Sequence, residues 1–299
     1  MKTSNTLTIL SLLIAVLSVV AAGAGVFGQG QGDPVPFITP RGDTIMLQGH
    51  GLYRYDSLSG AAQAISGDVV TLILSVPLLL VSTVLARGGS LRGKLLLSGT
   101  LGYFLYTYTS IAYMLAYNNL FLLYVALHSL SVFAFVLSLT SIDYKALPAH
   151  FSKKTPRLPV AAFLFLLGLL LTMLWIGKII LPSLQTGLAP SGLDNYSTLV
   201  IQAMDLGLVI PAAFLSGVLW LKRSALGYLL TPVLLIKGMT MSAAVTAMVI
   251  GQILVGVQVG PVEIVLFPAL AVIDLAVTWM VLSNVEEGNV REAVAAGVA

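Results

Sequence analysis

Residues 202–251 read QAMDLGLVIPAAFLSGVLWLKRSALGYLLTPVLLIKGMTMSAAVTAMVIG. Two apolar runs meet at the short basic turn Lys222-Arg223-Ser224. The first carries Gln202 and Asp205 near its start and Pro211 a few residues on; the second carries Lys237 near its middle. Each run is long enough to span hydrocarbon as a helix rising 1.5 Å per residue, and basic residues at the joining turn are what a membrane hairpin places at one face. A looser copy of this layout lies earlier, with Gln63, Asp68 and Pro77 on one run, then Arg87 to Lys94, then a second run over 95–117. The remaining chain is organised around these two helical hairpins.

The composition agrees. Of 299 residues 58% are hydrophobic and 9% charged, with a mean hydropathy of +0.98. A soluble domain carries roughly a quarter charged residues, so this chain reads as an all-α polytopic integral membrane protein whose main partner is the lipid bilayer. The net charge of +3 is spread over turns between apolar runs and forms no basic face suited to nucleic acid. Cysteine is absent, which removes thiol catalysis, disulfides and iron–sulfur ligation together. His50, His128 and His150 fall in different segments, so no metal or haem site is expected. No nucleotide-binding, zinc-protease or hydrolase motif occurs, and no cofactor is expected.

Outward from the hairpins, residues 6–27 form a first apolar run, within a segment 1–28 that reads as a first transmembrane helix or as a signal sequence. Its length exceeds the roughly 7–15 apolar residues of a usual signal core, which favours a retained helix. Residues 29–60 are the only sizeable polar insert. Strand formers at 34–39 and 44–55 flank Pro40-Arg41-Gly42-Asp43, so a small extracytoplasmic β-hairpin is expected, with these four residues as its turn. Further spans are expected at 61–86, 95–117, 120–142, 160–181, 198–221, 225–255 and 262–285. They fall in two blocks, 61–142 and 160–285, joined by a cytoplasmic linker 143–159 and followed by a tail 286–299. The total is eight transmembrane helices, or seven if a signal peptide is removed.

Lys2, Arg87, Arg92, Lys94, Lys145, Lys153, Lys154, Arg157, Lys222, Arg223 and Arg291 gather on one side of this arrangement, and Arg41 and Arg54 stand on the other. The positive-inside rule then places both termini in the cytoplasm of a cell membrane. Read as two blocks of four helices, the chain is a candidate parallel 4+4 repeat. Residues 125–142 align without gaps on 265–282, while the glutamine, acid, proline and basic-turn order aligns only with small gaps.

Ionisable groups in a span cost about 2.5–3.5 kcal/mol on insertion scales, so each needs a partner or a wet cavity. Asp68 and Asp205 fall at matching depths, with Gln63 and Gln202 near them. Lys237 and Asp274 lie near the centres of antiparallel neighbours and are placed to meet. On the third helix Tyr103, Tyr106, Ser110, Tyr113 and Tyr117 share one face, with Tyr108 pointing away. His128 sits on the fourth helix as a helix-to-helix hydrogen bonder or a proton relay with Tyr113 or Asp68. The candidate pathway residues are therefore Asp68, Asp205, Lys237, Asp274, Gln63, Gln202, Tyr103, Tyr106, Tyr113 and His128. Each also has a structural reading, as a buried pair or a packed tyrosine.

Three functions fit this pattern. A secondary transporter or permease-like protein for a small or amphipathic solute, proton-coupled through the acids, accounts for the repeat and the matched carboxylates. A membrane-embedded enzyme or binding protein for a lipid or isoprenoid accounts for the tyrosine face. A structural or accessory membrane subunit would pair every buried charge.

Overall fold

The computed structural model describes residues 4–287. Its helical rods, in chain order, are α1 (Asn5–Phe27), α2 (Leu58–Arg87), α3 (Leu91–Met114), α4 (Phe121–Thr140), α5 (Arg157–Thr186), α6 (Val200–Leu221), α7 (Ala225–Leu254) and α8 (Pro261–Ser283). Seven of them, all but α3, are long and apolar enough to cross a membrane. The chain is a multi-pass membrane protein. At 24 residues α3 matches the others in length, but Arg92, Lys94 and a dense set of Gly, Ser, Thr and Tyr lower its apolarity. It packs against α2, α4 and α7, so its polar side chains have protein neighbours. The tail beyond residue 287, with Arg291, and Lys2 lie outside the described residues.

The rods begin where capping chemistry dictates. Ser4, Ser57, Ser90 and Ser224 each accept, through the side-chain oxygen, the backbone N–H three residues on, satisfying one orphan donor of the first turn. Three rods widen into π-helical turns: α2 at Thr71–Ser75, α5 at Met173–Ile180 and α6 at Asp205–Val209. Each stretch ends two residues before a proline, Pro77, Pro182 or Pro211. Proline has no N–H and its ring crowds the carbonyl four residues back, so a widened turn before it relieves the clash.

One constant shift in numbering carries Thr71–Ser75 onto Asp205–Val209, Pro77 onto Pro211, Ser90 onto Ser224 and Gly93 onto Gly227. The turns so related are built alike. Ser90 N–H donates to Leu85 O at 3.2 Å and Ser224 N–H to Leu219 O at 3.0 Å. A Cβ on Gly93 would lie 2.7 Å from Ala86 N, and one on Gly227 2.7 Å from Trp220 N. Only glycine lets either pair of helices close so tightly after the turn. In this gap-free register Thr71 is the counterpart of Asp205, and Asp68 that of Gln202. Asp68 and Asp205 therefore stand about three residues apart in this register.

Two apolar cores form. One gathers Leu7, Ile14, Leu79, Phe104 and Leu127 from α1–α4 with Ala244 of α7; the other gathers Leu164, Trp220, Leu235 and Val281 from α5–α8 with Phe151 of the linker and Leu95 of α3. The long α7 joins the two, packing on α2, α3, α6 and α8. Its crossing with α3 is close at Gly99, where a Cβ would come within 2.4 Å of Ile236 Cβ.

At one end of the bundle Val35–Ile38 (β1) pairs antiparallel with Thr44–Leu47 (β2), with Pro40 to Asp43 as the turn. The second strand stops earlier than expected, because the chain folds back through Gly49 and Gly51 at φ +78° and +70°. The Arg41 side chain reaches the backbone carbonyls of Asp194 and Tyr196, so it anchors the hairpin to the connection between α5 and α6. At the other end the Glu287 carboxylate accepts from Ser90 Oγ (2.6 Å) and from the N–H groups of Leu91 and Arg92 (both 2.9 Å), tying the end of α8 to the start of α3.

Candidate functional site

Between the two cores, toward the hairpin end, lies a cavity of about 510 Å³, within the range of small-molecule sites. The connection between α5 and α6 borders it at that end through Ser191, Leu193, Tyr196 and Thr198. That segment is fastened: Tyr196 OH donates to Asp56 Oδ1 (3.1 Å), and Asn195 Nδ2 to Tyr55 O (2.8 Å). Burial and the Asp56 carboxylate push the Tyr196 hydroxyl well above its usual range, so it stays a donor.

Asp68, Asp205 and Lys237, from α2, α6 and α7, all border this one space. Asp68 accepts from Tyr53 OH at 2.6 Å and lies against α1 at Gly25, where any side chain would overlap its Oδ2. Asp205 opens the π-helical turn of α6. It accepts from Tyr106 OH on Oδ1 (2.8 Å) and from Trp175 Nε1 on Oδ2 (2.9 Å). The Lys237 ammonium stands 3.9 Å from the centre of the Tyr106 ring, a cation–π contact. Thr71 and Tyr103, counterparts of Asp205 and Lys237 in the gap-free register, are bonded to each other at 3.3 Å.

The expected meeting of Lys237 with Asp274 does not occur. Among the described residues the one ion pair within 4 Å joins Lys178 of α5 to Glu263 of α8. Asp274 is 1% exposed, takes a 3.3 Å bond from Thr278 Oγ1, and abuts α7 at Gly238, whose Cβ would come within 2.4 Å of its Oδ2. It does not border the cavity. Neighbouring residues on a helix are turned about 100° apart. Gly238 therefore faces Asp274, while Lys237 faces α3 and the cavity.

Gln63 and Gln202 border the cavity, and Gln63 Nε2 donates to Ser59 Oγ at 3.2 Å. The tyrosine face is divided. Tyr103, Tyr106 and Ser110 border the cavity, but α3 ends at Met114, and Tyr113 is 63% exposed with its ring edge-on to His128 at 5.4 Å. His128 bonds Thr109 Oγ1 at 3.0 Å. Neither Tyr113 nor His128 borders the cavity, and His128 meets Tyr113 rather than Asp68. Tyr117 lies beyond the end of α3. Tyr108, which was expected to point away from the others, is buried in the first core against Phe104.

Sequence reasoning did not single out Trp175, Gln252, Thr71 or Glu263. Gln252 Nε2 donates to Ser59 Oγ at 2.7 Å, closing the cavity wall beside Gln63. A single threonine or tryptophan inside an apolar run, or a polar residue near its end, gives no signal of its own, because such residues are ordinary in spans and interface belts. No three His, Asp or Glu side chains converge as a metal site would require, among the described residues. Compared with protein families, characterised proteins and solved structures, the chain matches none at a significant level.

Proposed function

We propose that the protein is a secondary transporter for a small or amphipathic solute, with protons carried by Asp68 and Asp205. The observation that carries this reading is the sharing of one cavity by Asp68, Asp205 and Lys237, three costly groups held on three helices amid apolar surface. A merely structural set of charges would be expected to pair off within packed contacts. In this reading α3 is the eighth span, both termini are cytoplasmic, and the cavity opens to the exterior. The gap-free correspondence of the two hairpins supports a parallel 4+4 repeat, a common plan for alternating access. The π-helical turns at Thr71–Ser75 and Asp205–Val209 interrupt the regular α-helical bonding, the second at the cavity wall, and serve as hinges.

The test is uptake by proteoliposomes under an imposed pH gradient, using a panel of amphipathic anions, cations and zwitterions. Asp205→Asn and Asp68→Asn are each expected to lower pH-driven uptake at least about tenfold, close to 1.4 kcal/mol of lost coupling, with an unchanged size-exclusion profile. Normal uptake by both variants would end the proton-coupled reading. A second reading, binding of a lipid or isoprenoid, is favoured by the apolar lining that Leu167, Leu171, Leu174 and Phe267 supply.

A further inference from the structure

Lys237 is nine-tenths buried, at 9% exposure, and borders the cavity. Among the described residues its ammonium donates no hydrogen bond and has no carboxylate within 4 Å; its one close partner is the Tyr106 ring. An ammonium carries three donors, and buried donors are almost always paired. The acids that act on it are engaged elsewhere. Each oxygen of Asp205 already accepts one bond, from Tyr106 or Trp175, and Asp274 lies against Gly238, on a different side of α7. The ammonium reaches the cavity, so its acceptors come from what fills that space, water or a bound solute.

Between α5 and α8 the chamber wall is largely apolar, supplied by Leu167, Leu171, Leu174, Phe267 and Leu270. The π-helical stretch of α5, Met173–Ile180, has no buried residue and packs extensively only on its own chain neighbours. Two side-chain ties hold it across the cavity: Trp175 to Asp205 on α6, and Lys178 to Glu263 on α8. Leu171 and Leu174 of α5 face Phe267 and Leu270 of α8 across the same space. At roughly 30 Å³ per water-sized group, about 510 Å³ holds about seventeen such groups, the size of one alkyl chain with a small headgroup.

Resting on the reading of this cavity as a solute site, we propose that it takes a single-chain amphipath with a carboxylate headgroup. The carboxylate is seated on Lys237 and the chain runs between α5 and α8, where the molecule enters from the bilayer past the Lys178–Glu263 pair. The headgroup supplies acceptors to Lys237, and the chain packs against the partly buried Leu171 and Leu174 of α5 and Phe267 of α8.

The test uses purified protein in nanodiscs of zwitterionic lipid with cis-parinaric acid, an eighteen-carbon fluorescent carboxylate, beside its methyl ester and the matching alkylamine. The acid is expected to bind at least about tenfold more tightly than the ester, a difference of 1.4 kcal/mol. Lys237→Met should bring the acid down to the ester's affinity and leave the ester unchanged, which also reports that the variant is folded; Lys237→Arg should keep the preference. Equal binding of acid and ester, preference for the amine, no binding, or an unaltered preference in Lys237→Met would each overturn the headgroup assignment. The chain has no cysteine, so Lys178→Cys with Glu263→Cys can be bridged cleanly by a bis-methanethiosulfonate. Association of the acid should slow about tenfold when bridged and recover on reduction; an unchanged rate would overturn the lateral route. Neither measurement involves flux. Acid binding without pH-driven uptake would remove the transport reading alone, and pH-driven uptake of another solute without acid binding would remove this inference alone.

Discussion

Asp56 sits where three outlying segments meet, just ahead of α2. Its Oδ1 accepts from Ala116 N–H (2.8 Å) and from Tyr196 OH. Burial pushes this carboxyl up to about 6, outweighing the two hydrogen bonds, which act to lower it. A pKa raised on folding means that the fold prefers the protonated acid. The stability it contributes is complete below the ordinary value near 3.9 and is lost as pH rises through about 6, with a ceiling of about 3 kcal/mol. The protein should therefore melt at a higher temperature at pH 5 than at pH 7.5, followed by intrinsic fluorescence. Asp56→Asn, neutral at both, should remove the difference; an equal pH dependence in the variant would show that another group is responsible. At this scale the sequence was informative about cost and silent about partners. Charge inside an apolar run marked Asp68, Asp205 and Lys237, and all three reached the cavity. It also marked Asp274, which is one helical position out of step with Lys237, and a span's hydropathy does not register a turn of 100°.

Glycine at a helix-to-helix approach makes the sharpest forecast for the elements. Gly227→Ala would push a methyl to within 2.7 Å of Trp220 N in a turn already closed by backbone bonds, an overpacking expected to cost about 1–3 kcal/mol. Gly177→Ala has nothing within 4 Å of the new atom and gains helix propensity of up to about 1 kcal/mol. Thermal unfolding of the two variants should move in opposite directions, and a drop for both would contradict the packing described. The rods themselves were legible, since hydropathy and length locate an apolar helix to within a few residues; the span expected at 160–181 was the chief exception, running as Arg157–Thr186. The π-helical turns were not legible. Pro77, Pro182 and Pro211 announce a disturbance, but a proline in a span fits a kink or a widened turn equally well, and neighbouring helices decide which. The tyrosine face failed for a related reason: periodicity gives an angle around α3, but the rod stops at Met114 before the last tyrosine can share it.

For the whole molecule the decisive feature is the fastening of α1–α4 to α5–α8 at both ends of the bundle, with α7 packed against α2 and α3 beside the cavity. The Glu287 tie to the start of α3 is the fastening opposite the cavity. Burial acts to raise its carboxyl, but the bonds from Ser90, Arg92 and Leu91 and the Arg92 charge prevail and hold it below the usual range. Its contribution is therefore present above about pH 4.5 and is lost as pH falls through the lowered value. Glu287→Ala should speed amide hydrogen exchange at Leu91 to Lys94 at neutral pH, leaving exchange in the β-hairpin unaltered; uniform acceleration would mean that the tie supports the entire fold. This fastening was not visible in the sequence. Basic turns and a gap-free match of 125–142 with 265–282 pointed to duplication, whereas contacts that bring residue 287 to residue 90 depend on how the rods are arranged around α7. One consequence concerns α5. In a bilayer, a rod whose upper half is steadied by two side chains and otherwise left uncovered by protein would take its resting tilt partly from the lateral pressure of the surrounding leaflet. Stretching or thinning that leaflet would then widen or narrow the chamber with no change in the protein's own bonds.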